Sequence, residues 1–222
     1  MLRRMKQVAV ILSGCGVFDG AEIHESVLTL LALDRANARA ICTAPDIPQQ
    51  RVVNHYTQQP MAGETRNVLV ESARIARGNI IPLSQLDVSR IDAVILPGGF
   101  GAAINLSTFG LGDADFTVHP AVARVLQQAH QAGKPIGLVC IAPAIAAKLF
   151  GPQRVQVTIG TDAATARRLE ATGAQHVNCP VSDVVVDKRL KIVTTPAYML
   201  ASRITEVEAG ITKLVQAVLA MA

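Results

Sequence analysis

The stretch PIGLVCIAPAIAAKLF, residues 135–150, joins an apolar run to a helix-like segment through a cysteine. The residues from Ile136 to Val139 form a short apolar run that is typical of a buried strand. Cys140 ends this run, so its thiol lies where the backbone turns from strand to helix. Two interpretations are open. The thiol is either a nucleophile presented on a tight turn or a small apolar side chain packed at a strand end, a common environment for cysteine.

Short apolar runs rich in Val and Ile alternate with longer helical patterns along the chain. We predict strands at residues 7–13, 38–43, 92–96, 136–140 and 155–160, a hairpin around 187–190, and helices at 22–36, 64–77, 118–132, 163–172 and 202–222. Strands that are apolar on both faces and separated by helices predict a mostly parallel sheet covered on both sides. The pattern therefore predicts an α/β three-layer sandwich, and the 222 residues suit one domain over residues 1–222.

The composition argues against several function classes. Hydrophobic residues make up 50% of the chain and charged residues 17%, and no stretch approaches the roughly 20 apolar residues of a membrane span. The net charge of +4 is scattered, and Trp is absent, so a nucleic-acid interface is not expected. The first fifteen residues, MLRRMKQVAVILSGC, resemble a lipoprotein signal peptide. Their apolar core, VAVIL, is shorter than the roughly 7 to 15 apolar residues of a secretory signal. We therefore expect a cytoplasmic protein that binds neither membranes nor nucleic acid.

The four cysteines lie at positions 15, 42, 140 and 179. They form no CxxC pair and have no zinc-type spacing with histidine. Neither a disulfide framework nor a metal site is predicted, and no cofactor is expected.

Ligands of parallel α/β sheets bind beyond the carboxyl ends of the strands. This rule selects four places: SGCGVFDG, PGGFGAA, Cys140 and TTPAYM. A cysteine at a strand end that precedes a helix has backbone N–H groups and the helix dipole directed at it, and both lower a thiol pKa. The two glycines Gly98 and Gly99 can expose N–H groups as an oxyanion hole, or they form an ordinary tight turn.

The motif DGAEIHE, residues 19–25, supplies acid–base candidates at the first strand-to-helix junction. Asp19 and Glu22 have the spacing of a helix N-cap and its capping glutamate. Glu25 lies one turn further on. It is either a solvated first-turn residue or a partly buried general base with a raised pKa. His24 is expected at the surface or at a pocket rim.

Other polar residues receive weaker interpretations. Cys15 is a rival nucleophile beyond the first strand, or it lines the pocket, or it packs. Asn105, in GGFGAAINLS, is a further pocket candidate together with Cys15 and Glu22. Arg66 and Asn67 lie at a helix start beyond the proline-rich loop 44–63, where a solvated face is favoured over a pocket or dimer contact.

Five segments together resemble the ElbB family, also called enhancing lycopene biosynthesis protein two or isoprenoid biosynthesis glyoxalase. They are VILSGCGVFDGAEIHE, ETRNVLVESARIARG, LPGGFGAAINLS, GLVCIAPA and IVTTPAYM, in order over nearly the whole chain. ElbB belongs to the DJ-one/PfpI superfamily, so the resemblance implies a flavodoxin-like fold similar to class I glutamine amidotransferases.

The resemblance implies particular site residues. The superfamily's nucleophile falls on Cys140, its helix glutamate on Glu25, and the amides that face the thiol on Gly98, Gly99 and Ile141. Where many relatives carry a histidine that activates the thiol, this chain has Gly160 and Ile141. A protease-like or amidotransferase-like mechanism is therefore not favoured, and a Cys–Glu pair remains.

The implied activity is glutathione-independent conversion of glyoxal to glycolate, with no metal or redox cofactor, by a homodimer. An alternative is a non-catalytic redox-sensing or partner-binding protein on the same fold, because a reactive thiol oxidises readily. The sequence leaves both open.

Overall fold

The structure, a computed structural model, describes residues 4–112 and 115–222. Its strands, in chain order, are β1 (Gln7–Ile11), β2 (Arg39–Ala44), β3 (Val53–Asn54), β4 (Gln59–Pro60), β5 (Ile80–Pro82), β6 (Ala93–Leu96), β7 (Ile136–Val139), β8 (Gln156–Val157), β9 (Gln175–His176), β10 (Val185–Asp187) and β11 (Ile192–Thr195). Its α-helices are α1 (Ile23–Arg35), α2 (Val68–Ile75), α3 (Phe100–Ile104), α4 (Pro120–Gln131), α5 (Pro143–Phe150), α6 (Ala163–Glu170) and α7 (Ile204–Met221).

Seven strands form the central sheet in the order β10-β11-β7-β6-β1-β2-β5. All neighbours are parallel except β10 and β11, which form the predicted antiparallel hairpin. β1 lies near the middle, where Val10 pairs with Cys42 on one side and Ile95 on the other. This arrangement places the ends of β1, β6, β7 and β11 side by side along one edge of the sheet.

Two apolar cores cover the two faces of the sheet. Successive β-strand side chains point to opposite faces, so Val8 and Val10 pack with α1 and α7, whereas Ala9 and Ile11 belong to the core that contains α4 and α5. These buried layers confirm the predicted three-layer α/β sandwich with a mostly parallel sheet.

Several elements differ from the sequence prediction. β8 pairs in parallel with β9 in a separate two-stranded sheet and does not join the central one. The proline-rich loop contains the short hairpin β3–β4. α2 begins at Val68, later than predicted, because the Asn67 side chain accepts a hydrogen bond from the Val70 N–H and caps the helix there.

Candidate active site

Cys140 occupies a sharp turn between β7 and α5. Its φ is +62°, in the left-handed region that residues other than glycine seldom adopt, and its N–H donates to the Thr195 carbonyl at 2.9 Å. Such backbone strain is concentrated at functional sites. Pro143 begins α5 three residues later, so the helix N-terminus lies beside the thiol. The strained turn favours the interpretation of Cys140 as a presented thiol over that of a strand-end packing residue.

Glu25 is fully buried next to this thiol, in the first turn of α1. The Gly98 N–H donates to its Oε2 at 2.9 Å and the Tyr198 N–H donates to its Oε1 at 3.3 Å. Its carboxyl lies near enough to the Cys140 thiol for each group to shift the pKa of the other. The structure therefore joins the two predicted catalytic residues, and it excludes the solvated alternative for Glu25.

Two adjacent glycines allow this close approach. A Cβ on Gly98 would lie 2.5 Å from the Cys140 Cβ and 2.7 Å from the Glu25 Oε2. Gly99 has a φ of +93°, and a Cβ there would collide with the backbone of Gly20 and Glu22. Only glycine satisfies both positions, which explains why the strand β6 ends in a double glycine.

One of the three N–H groups predicted to face the thiol, that of Gly98, has a different partner in the structure. The Gly98 N–H is occupied by the Glu25 carboxyl, whereas the N–H groups of Gly99 and Ile141 face the thiol and lower its pKa. The predicted oxyanion donor Gly98 is therefore better described as a residue that positions Glu25. Gly99 and Ile141 are the pair of amides that remain directed at the sulfur.

Burial dominates the electrostatics of the Cys–Glu pair. Desolvation, followed by the charge of Glu22, raises the pKa of Glu25 from 4.5 to about 8. Desolvation and the neighbouring Glu25 charge also raise the pKa of Cys140 well above its usual range, against the effect of the two amides. Because the groups interact, they titrate as a pair, and the pair holds both of its protons at neutral pH and loses the first near pH 8.

The thiol opens into a pocket of about 420 Å³. Its walls are largely apolar, and a few polar side chains converge on it. The apolar lining residues are Val17, Phe100, Ala103, Phe109, Ile141 and Met199, and the polar ones are Glu22, Thr165, Arg168 and Tyr198.

Glu22 lies in this pocket as predicted, but its structural role differs from the prediction. Glu22 is itself the N-cap of α1, since its Oε2 accepts from the Glu25 N–H at 2.6 Å. The predicted cap, Asp19, instead accepts from the Val53 N–H at 2.8 Å. A backbone donor from the long loop, distant in sequence, thus replaces the expected local contact.

Cys15 and Asn105 do not line the pocket. Asn105 is buried and donates to the carbonyls of Ser13 and Asp19, so it stabilises the first loop. Cys15 is half-buried, and desolvation together with the charge of Glu71 raises its pKa.

Arg66 and Asn67 lie at the start of α2, away from the pocket. Arg66 forms an ion pair with Glu64 at 3.3 Å, and Asn67 donates to Asp46 at 2.8 Å. His24 lies at the pocket rim, as predicted, where its Nδ1 is 2.7 Å from the Tyr198 hydroxyl.

Sequence reasoning missed three polar residues of the pocket, Thr165, Arg168 and Tyr198. Tyr198 follows β11 in the motif TTPAYM, which the strand-end rule selected, but no role was assigned to it. Arg168 comes from α6, and its guanidinium lies 3.9 Å from the centre of the Phe109 ring. No local pattern distinguishes Arg168 from its neighbour Arg167, and both residues are exposed.

Over residues 4–112 and 115–222, no group of three or more His, Cys, Asp or Glu side chains is placed to hold a metal ion. Within the same ranges, no helix is long and apolar enough to cross a membrane.

Comparison with known proteins assigns the family. The chain is 48% identical over 226 residues to a human protein, glutamine amidotransferase-like class 1 domain-containing protein 3, mitochondrial, and the match covers 98% of this chain and 84% of the relative. It is 46% identical to the rat ES1 protein homolog, mitochondrial, with the same coverage. The chain belongs to the ES1 family of glutamine amidotransferase-like class 1 proteins. No protein-family model matches it.

Solved structures support the same assignment for this ES1-family chain. A crystal structure of an isoprenoid biosynthesis protein with an amidotransferase-like domain, from Ehrlichia chaffeensis, is 38% identical, with a TM-score of 0.90 over 97% of this chain and all of that one. A DJ-1 superfamily protein from Agrobacterium tumefaciens has a TM-score of 0.58 at 15% identity, over 97% of this chain and 89% of that one. The predicted α/β fold similar to class I glutamine amidotransferases is thereby confirmed. The likeness to the DJ-1 superfamily protein is one of fold.

The predicted location of this ES1-family protein is wrong. The human and rat relatives are named as mitochondrial, and so is the ES1 protein of Danio rerio at 36% identity. These relatives contradict the expectation of a cytoplasmic protein. That expectation rested on an apolar segment too short for a secretory signal, which says nothing about mitochondria.

Proposed function

We propose that the protein is a cofactor-independent glyoxalase that converts glyoxal to glycolate, with Cys140 as the nucleophile and Glu25 as its proton partner. The observation that carries the proposal is a strained cysteine, at a φ of +62°, that lines the pocket and has a completely buried glutamate next to it. A buried carboxyl that shares a proton with a thiol is suited to move protons without bulk water.

The pair reaches its reactive state when it holds one proton. The N–H groups of Gly99 and Ile141 stabilise the thiolate. In this state the remaining proton is on the Glu25 carboxyl, from which it can be donated to the sulfur. The sulfur adds to one aldehyde of glyoxal, forming a C–S bond and an oxyanion that accepts hydrogen bonds from the same two amides. The proton held by Glu25 passes to this oxygen, which leaves a hemithioacetal and a Glu25 carboxylate.

The carboxylate then acts as a base. It removes the proton from the carbon bonded to sulfur and returns it to the neighbouring carbon through an enediol. The hydroxyl proton of the first carbon passes to the oxygen of the second, so that the hemithioacetal becomes a thioester of glycolate. Water cleaves the thioester, giving glycolate and the free thiol. The overall change is the addition of one water to glyoxal, and it requires no oxidant or reductant.

The arrangement supports this chemistry better than glutamine hydrolysis. An amidotransferase activates its cysteine with a histidine, and none of the described residues that line this pocket is a histidine. The carboxyl of Glu25 is the titrating group in contact with the sulfur.

Glycolate formation from glyoxal, followed by proton NMR, tests the proposal. The Cys140→Ala variant should lose activity by more than a hundredfold, because no sulfur is present to form the hemithioacetal. The matched control is Cys15→Ala, which should remain within about twofold of the unaltered protein. Full activity in Cys140→Ala would refute the proposal, and loss only in Cys15→Ala would move the nucleophile there.

The competing sensor role predicts a different result. Mild peroxide should then oxidise Cys140 selectively to a sulfinate while glyoxal turnover stays negligible. Intact-mass and peptide mapping of the peroxide-treated protein separate the two functions. The homodimer also stays a proposal, and light scattering of the purified protein tests it.

A further inference from the structure

The pocket above Cys140 is much larger than glyoxal requires. Its volume is about 420 Å³, within the range of about 300–1,000 Å³ in which proteins bury ligands of many heavy atoms. Glyoxal is a two-carbon dialdehyde and would leave most of this space to water. A ligand that fills the pocket carries a substantial group beyond its reactive carbonyls.

The walls of the pocket define the nature of that group. Phe109, Phe100, Met199 and Val17 present rings and aliphatic side chains to the space. An apolar or aromatic segment of a substrate would gain free energy by removing this surface from water. Phe100 is 45% exposed, so apolar surface is available at the pocket in the unliganded protein.

One cation faces this apolar space. Arg168 is the basic residue among the described residues that line the pocket. Its guanidinium stacks on the Phe109 ring at 3.9 Å and donates through Nη2 to the Phe109 carbonyl at 2.7 Å. These two contacts fix the orientation of the guanidinium plane.

Among the described residues, the remaining donors of Arg168 have no acceptor and can serve a ligand. A guanidinium has five N–H donors, and within residues 4–112 and 115–222 the Phe109 carbonyl is the acceptor found for Arg168. No Asp or Glu oxygen among those residues lies within 4 Å of it. An oriented arginine with unused donors favours a carboxylate, which it can bind through two parallel hydrogen bonds.

From these observations we infer that the preferred substrate is a 2-oxoaldehyde that carries an apolar segment ending in a carboxylate, with Arg168 as the specificity-determining residue. The inference rests on the proposed function. Cys140 adds to the aldehyde carbon, the hydrogen on that carbon moves to the adjacent carbon, and hydrolysis releases a 2-hydroxy acid. The carboxylate on the tail takes no part in these steps and serves for recognition.

Phenylglyoxal and para-carboxyphenylglyoxal form a matched pair of probes, since they differ only by the terminal carboxylate. Initial rates of hydroxy acid formation are measured before intact mass detects modification of arginine by the dicarbonyl. We expect kcat/KM for the carboxylated probe to exceed that for glyoxal at least tenfold. Arg168→Gln should lower the ratio of kcat/KM for the carboxylated probe to kcat/KM for phenylglyoxal at least tenfold, because a hydrogen bond to a charged group is lost.

Arg167→Gln is the control variant, since Arg167 is exposed on the same helix and does not line the pocket. It should leave kcat/KM unchanged for glyoxal and both aryl probes. Arg168→Lys should recover part of the preference for the carboxylated probe that Arg168→Gln loses. Equal kcat/KM values for the two aryl probes, or an Arg168→Gln variant that keeps the preference, would overturn the inference.

A binding measurement separates this inference from the proposed function. Isothermal titration of mandelate and para-carboxymandelate, the hydroxy acid products, requires no turnover. Suppose that glyoxal is not converted but para-carboxymandelate binds at least tenfold tighter than mandelate, and only when Arg168 is present. The proposed glyoxalase function is then wrong, and carboxylate recognition by Arg168 is correct. If glyoxal is converted and the two acids bind equally, the glyoxalase function is correct and carboxylate recognition is wrong.

Discussion

Replacing Glu25 by glutamine tests whether a protonated carboxyl is buried beneath the thiol. Burial and the charge of Glu22 raise the pKa of Glu25 from 4.5 to about 8. Between these values the folded protein keeps a proton that the unfolded chain has lost. Glu25 therefore contributes its full stabilisation below pH 4.5. This contribution to the free energy of unfolding is lost as the pH rises from 4.5 through about 8.

The size of the effect follows from the pKa change. At about 1.4 kcal/mol per pKa unit, the rise from 4.5 to about 8 corresponds to about 5 kcal/mol of pH-dependent unfolding free energy as an upper bound. Relaxation and water entry reduce this value, so we expect a contribution on the order of 2–5 kcal/mol. Glutamine does not titrate, so Glu25→Gln should lack this contribution.

The substitution also has a cost at low pH. The Gly98 and Tyr198 N–H groups donate to different oxygens of Glu25, and glutamine offers one oxygen for the two donors. Leaving one buried N–H unpaired costs about 1–3 kcal/mol. The stability curves of the two proteins should therefore cross, with the unaltered protein more stable near pH 5 and Glu25→Gln more stable near pH 8.5.

Urea unfolding at pH 5 and pH 8.5 measures this difference. The effects of His119 and His176, whose pKa values burial lowers, are common to both proteins and cancel in the comparison. Glu64→Gln, on an exposed loop residue, is the control for loss of an acidic side chain. If Glu25→Gln and the unaltered protein show the same change in unfolding free energy between the two pH values, Glu25 does not hold the proton that we assign to it.

Three further predictions follow from the same contacts. Gly98→Ala should lower the free energy of unfolding by about 1–3 kcal/mol and reduce glyoxal turnover more than tenfold, because its Cβ would overlap Cys140; unchanged urea midpoint and kcat would contradict this. Asn105→Ala should destabilise the protein by about 2–4 kcal/mol, since two buried carbonyls lose their donor, and thermal denaturation at fixed pH measures the loss. The kcat/KM for glyoxal should rise with pH through an apparent pKa near 8, as the Glu25–Cys140 pair loses its first proton, and a flat profile from pH 6 to pH 9 would exclude this pair as the titrating group.

The sheet was predictable because its strands carry a strong and redundant signal. Val8 and Val10 pack on one face while Ala9 and Ile11 pack on the other, so a continuous apolar run is required of a central strand. The edge strand β5 has three half-buried residues and gives no such run. Helix α3 was missed because its first turn contains a glycine, Gly101, that packs against the Ser13 backbone and resembles a loop in sequence.

The site was predictable where position along a strand determines geometry. Cys140 follows β7 directly and Glu25 begins the helix after β1, so both reach the same edge of the sheet. Arg168 and Tyr198 reach the pocket through packing between segments distant in sequence, which the local spacing of residues does not predict. The expected cap at Asp19 failed for the same reason, since its partner Val53 is brought near by the folding of the long loop.

Peptide-resolved mass spectrometry of enzyme quenched in acid during glyoxal turnover tests whether Cys140 forms the covalent bond to the substrate. We predict a two-carbon acyl group on Cys140, as the glycolate thioester, and a marked decrease of this species in Glu25→Gln, which cannot move the proton between the two carbons. An acyl group on Cys15, or glycolate formation at full rate with no modification of Cys140 at any time point, would contradict it.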